Sequence, residues 1–189
     1  MFFDPAYLLF AIPGLLLALW AQFKVKGTFA KFARVPTMTG MTGQDAARVL
    51  VRNNSLNVGL ENIPGELTDH YDPRSKVVAL SQSSVVNSVA SVAVVAHEFG
   101  HAMQDKENYA MLKLRGAIVP VVSIGSNVGP WLFMGGALLG LGTTVGSSLA
   151  WLGVIGFGLA ALFALITLPV EFDASRRALH TIEANGMVT

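Results

Sequence analysis

The chain has 189 residues, of which 52% are hydrophobic and only 13% are charged, and its mean hydropathy is +0.53. A soluble domain carries about 25% charged residues, so this composition is that of a membrane protein. The net charge of +1 gives no reason to expect a nucleic-acid partner, and the absence of cysteine excludes disulfides, thiol chemistry and any Cys-based zinc site.

In chain order, the first uncharged run is Pro5 to Phe23, 19 residues between Asp4 and Lys24. That is close to the ~20 residues that cross a hydrocarbon core, so 1–23 is read as a first transmembrane helix. It lacks a basic leader and an A-x-A site before Lys24, so it reads as an uncleaved anchor. Residues 24–36, with Lys24, Lys26, Phe29, Lys31, Phe32 and Arg34, read as its interfacial continuation, which Pro36 ends. Thr42-Gly43-Gln44-Asp45 is an N-cap signal for a short helix that stops at Asn53-Asn54. Asp72-Pro73-Arg74-Ser75 is a type I turn between two β-rich runs, predicting a hairpin over 66–81. Ser88 is the expected cap of the next helix, which continues to about Lys106.

That helix holds His97-Glu98-Phe99-Gly100-His101. Histidines at i and i+4 share one helical face and can grip one metal ion, while the Glu between them can take a proton from water. Chance placement of these residue types gives the pattern in roughly 0.3% of such sequences. The plainer alternative is a core helix with two histidines, which would leave three polar titratable groups needing partners.

From Gly116 to Val170 no residue of 55 is charged. Two crossings fit, near 117–139 and 149–170, around the Gly/Ser/Thr-rich turn 140–148. Of the 13 Lys and Arg, 11 lie in 24–115 and two, Arg176 and Arg177, follow the last span. The positive-inside rule then places 24–115 and 171–189 in the cytoplasm and the N-terminus outside.

A catalytic zinc has three protein ligands and one open position. The candidates for the third are His70, His180 and several carboxylates. Glu171 is favoured: it opens a cytoplasmic helix directly after the uncharged run, where a cation would hold its carboxylate. An ordinary carboxylate at a helix N-terminus is the alternative, and Asp173 could serve in its place. Ser175, one turn on, is placed to hydrogen-bond a ligand. The oxyanion donor is left open among His70, Tyr71, Arg177 and His180.

His97-Glu98-Phe99-Gly100-His101-Ala102-Met103-Gln104, with the segments Thr68–Val78 and Leu168–Ala178, resembles the bacterial membrane neutral zinc metallopeptidase family. Phe3-Asp4-Pro5 and Ala21–Lys26 resemble it as well, so the likeness covers nearly the whole chain. The resemblance implies a zinc-dependent endopeptidase with Glu171 as third ligand, and a further hydrophobic segment after the Asn185-Gly186 helix stop. The expected fold is a mainly α multi-pass membrane protein with a zincin-like α+β cytoplasmic catalytic region, an active-site helix plus a small β-hairpin. The expected assignment is Zn²⁺ on His97, His101 and Glu171, with Glu98 as general base and Ser175, His70 and Tyr71 as supporting or substrate-facing residues. The expected partners are the plasma-membrane bilayer and a protein or peptide substrate, membrane-tethered by geometry. Two other readings are a non-catalytic zinc-containing scaffold and a protease that cuts within the bilayer.

Overall fold

A computed structural model of the chain describes residues 5–188, so Phe3 and Asp4, the start of the first predicted span, lie outside them. Helix α1 runs Pro5–Phe32 without a break at Pro13, joining the predicted anchor to its interfacial continuation. Leu9, Leu15, Leu16, Leu17, Trp20 and Phe23 are exposed along it. Beyond α1, the Val89 amide donates to the Val35 carbonyl at 2.8 Å, tying the interfacial segment to the helix that carries the His-Glu motif.

Helix α2, Gly43–Asn53, starts on a reciprocal capping box: Asp45 N–H donates to Thr42 Oγ1 at 3.1 Å, and Thr42 N–H to Asp45 Oδ2 at 3.2 Å. Its buried Gly43, Ala46, Ala47 and Leu50 follow the i, i+3, i+4, i+7 pattern of a single packed face. They join Leu80, Val92, Val95, Phe99 and Met187 in one core.

The hairpin forms as β2 (His70–Asp72) and β3 (Val77–Ser81), antiparallel. Its turn is fixed by Asp72, which accepts from Arg74 N–H at 2.9 Å and from Ser75 Oγ at 2.7 Å. A third strand, β1 (Gly59–Ile63), is the addition to the sequence reading. It pairs parallel to β3, so β3 is central and β1 and β2 are the edges. Residues 59–62 are all exposed, so β1 has no alternating pattern to betray it, and what marks it as a strand is its main-chain pairing with β3.

Helix α3, Val89–Lys106, is capped by Ser88, whose hydroxyl accepts from Ser91 N–H at 3.1 Å. Helices α4 (Ala110–Leu138) and α5 (Thr144–Ala184) are long and apolar enough to cross a membrane, as the sequence led us to expect of 117–139 and 149–170. They pack against each other through glycines: a Cβ on Gly129 would lie 3.0 Å from the Gly153 carbonyl oxygen, and one on Gly153 would lie 2.6 Å from the Phe133 nitrogen.

The predicted third span and the C-terminal helix are one continuous rod, α5, which passes through Pro169 without stopping. Past that point its Val170, Ala174, Ala178 and Ile182 are buried at four-residue spacing. They lie against α3 so closely that a Cβ on Gly100 would collide with the Ala174 carbonyl. That close crossing brings residue 171 to the middle of α3.

Candidate metal centre

The two histidines lie one turn apart on α3, their rings 4.9 Å between centroids and nearly perpendicular. Glu171 Oε2 sits 3.1 Å from His97 Nε2 and 3.4 Å from His101 Nε2. One ligand atom from each of the three residues lies within 4.8 Å of the others.

This donor set fits zinc. Nitrogen and oxygen ligands at about 2.0–2.2 Å from a four-coordinate ion stand roughly 3.4 Å from one another. The set is closed to thiolates and open to a fourth ligand, because the three residues border a cleft of about 410 Å³.

The tautomer of His101 is set from behind. Gln104 is fully buried, and its Nε2 donates to the Val170 carbonyl at 2.8 Å and to Asp173 Oδ2 at 3.0 Å. Its oxygen is therefore turned to His101 Nδ1, 3.0 Å away, which must carry the proton and leaves the Nε2 lone pair free. Asp173 is held in turn by Arg176 and by Arg177 Nε at 2.6 Å. Ser175 Oγ lies 3.2 Å from His97 Nδ1. Replacing Gln104 with Leu keeps volume but removes this acceptor, and zinc affinity is expected to fall by about 10–100-fold. Competition with a fluorescent chelator measures it; an unchanged Kd would show that His101 needs no such partner.

Glu98 points into the same cleft and accepts the Tyr71 main-chain N–H at 3.0 Å. Burial pushes its carboxyl above the ordinary value, against the pull of both histidines and the Tyr71 N–H. Among the residues weighed for an oxyanion donor, His70 borders the cleft, with its Nδ1 3.0 Å from the Thr68 carbonyl. The Tyr71 hydroxyl turns away to Asp105, 2.5 Å off; its burial and that carboxylate raise it well above a free tyrosine. Arg177 is committed to Asp173 and Glu107, and His180 borders a separate hollow beside Asn54, Met103 and Glu107.

Two contributors escaped the sequence reading. Gln104 stands three residues after His101, on the same helical side. Arg115, the last charge before the 55-residue run, places Nη1 3.2 Å from Glu171 Oε1 and borders the cleft. The carboxylate thus has one oxygen toward the imidazoles and one held by a guanidinium.

Residues 7–189 match a family described as "Putative neutral zinc metallopeptidase". Over 184 residues the chain is 45% identical to "Putative membrane protease YugP" of Bacillus subtilis (strain 168), covering 96% of this chain and 80% of that protein. No solved structure matches it.

Proposed function

Since this chain belongs to the neutral zinc metallopeptidase family, we propose that it is a membrane-anchored zinc endopeptidase working at the cytoplasmic surface of the bilayer. The observation that carries this is the convergence of His97, His101 and Glu171 within 4.8 Å, beside the Glu98 carboxylate, in an open cleft. His97, His101 and Glu171 would hold the metal. Zinc bound there would make water a stronger acid and polarise a carbonyl. Glu98 takes the proton from the attacking water and returns it to the leaving amine nitrogen. Its hydrogen bond to the Tyr71 N–H fixes the carboxylate for that transfer. Arg115 holds the Glu171 oxygen that faces away from the imidazoles, which fixes the orientation of the carboxylate. An intact general base has no use in a scaffold, which favours the enzyme over a structural zinc protein.

The substrate reading follows from the walls of the cleft. Leu112, Arg115, Gly116 and Val119 of α4 line one side at i, i+3, i+4, i+7, and the same helix continues into the apolar run. A polypeptide tethered to the membrane would present bonds near its exit from the bilayer at this height. The motif helix α3 buries ten of its 18 residues in the protein core, which favours cleavage at the surface over cleavage within the bilayer.

Detergent-purified protein is expected to hydrolyse casein, to lose this activity with 1,10-phenanthroline, and to regain it on adding zinc. Activity indifferent to the chelator would rule out the metal's role. For the orientation, the cysteine-free chain allows single labels. A membrane-impermeant maleimide on intact cells should reach Gly142→Cys in the α4–α5 turn, and reach Ser75→Cys in the hairpin turn only after lysis. The reverse pattern would place the site outside.

A further inference from the structure

Beside the metal cleft lies a second hollow, of about 550 Å³, between the interfacial part of α1 and the start of α3. Val25, Phe29 and Phe32 of α1 face Val89, Ala93 and Val94 of α3 across it. Leu67 borders it too, and Lys24 is the one charged residue in its lining among the described residues. Val25 is 62% and Leu67 42% exposed, so this apolar surface is left uncovered by the fold.

The hollow and the cleft share two elements. On α3, Ala93 and Val94 lie one turn before His97 and Glu98, so the exposed side of that helix passes from the hollow directly into the metal centre. On the segment leading into β2, Leu67 stands two residues ahead of Asp69 and three ahead of His70, which border the cleft. The separation along α3 is short. From Ala93 to His97 is about 6 Å and from Val89 to His97 about 12 Å at 1.5 Å per residue, which an extended peptide covers in roughly two to four residues.

We propose that this α1–α3 groove is a subsite for substrate: it takes apolar side chains two to four residues from the bond to be cut. The proposal rests on the peptidase reading for its register and names a substrate class, polypeptides with an apolar stretch beside the scissile bond. Such stretches occur where a chain leaves the bilayer or where a folded core has opened. Along α3 the metal cleft presents His97, Glu98 and His101, and its aliphatic lining, Leu112 and Val119, lies across on α4, so the α1–α3 groove is the apolar surface that continues along α3 itself.

The test uses the full chain in detergent, loaded with zinc, with Ala93→Cys as the only thiol. The probes are extended peptide hydroxamates, built in both chain directions, with a thiol two to four residues from the hydroxamate and either Leu or Ser at the neighbouring positions. The Leu peptides are expected to bind about tenfold or more tightly than the Ser peptides and to form a disulfide with Ala93→Cys at one spacing and in one direction. Val25→Asp should abolish that preference without changing zinc content or binding of the Ser peptide. Equal binding of Leu and Ser peptides, no disulfide, or a preference that survives Val25→Asp would overturn the groove, and a groove filled by lipid would give the first of these. A retained register without any casein hydrolysis would support the groove and count against the peptidase reading alone.

Discussion

Glu98→Gln is expected to lower casein hydrolysis by about 10²–10⁴-fold while bound zinc stays at the wild-type level. The substitution is nearly isosteric, and a glutamine oxygen can still accept the Tyr71 N–H that holds Glu98 at 3.0 Å. What is lost is the ability to take up and release a proton. The three candidate ligands do not include Glu98, so the metal should be indifferent to the change. Zinc quantified on the same sample that is assayed separates the two effects. Turnover within tenfold of wild type would remove Glu98 from the proton path, and lost zinc would make it a ligand or a support of the fold.

Glu171→Ala is expected to weaken zinc binding by more than about 100-fold, since losing even an outer partner of a ligand costs about 10–100-fold. A second effect adds to the loss of the ligand. Arg115 now neutralises one oxygen of Glu171 at 3.2 Å, and without that carboxylate its positive charge faces the two imidazoles that must share a cation. Glu171→Gln, which keeps a hydrogen-bond acceptor but no charge, should fall between. His180→Ala should leave zinc affinity unchanged, because His180 lies in a separate hollow. If His180→Ala lowered affinity and Glu171→Ala did not, the third ligand would be elsewhere.

The sequence carried much of this fold because its strongest signals are local. Thr42 with Asp45, Ser88 before an apolar helix, and Asp72-Pro73 between β-rich runs each act within four residues, and each appears where the pattern put it. The uncharged run 116–170 likewise announced α4 and α5, since composition over twenty residues needs no tertiary knowledge. Three things were hidden. β1 is a mostly exposed edge that pairs in parallel with β3, and pairing partners leave no local trace. The continuity of α5 was hidden because the uncharged run ends at Val170, which reads as the end of a span, whereas the helix runs on through Pro169 and Glu171 without a break. Gln104 and Arg115 matter through what they touch: Gln104 is oriented by the Val170 carbonyl, 66 positions away, so that it meets the back of His101, and Arg115 meets the free oxygen of Glu171, 56 positions away. Glu171 could be favoured in advance as a candidate because a carboxylate at the edge of so long an apolar run is costly without a cation; the Gly100–Ala174 crossing that brings it to α3 left no such trace.

The central claim, that two imidazoles of α3 and one carboxylate of α5 share a metal ion, is tested most directly by the zinc content of the detergent-purified chain after exhaustive dialysis. Wild-type protein is predicted to retain equimolar zinc, and His97→Ala and Glu171→Ala to retain almost none while keeping the wild-type helical circular-dichroism signal. Wild-type protein free of zinc, or either variant holding it as firmly as wild type, would contradict the account.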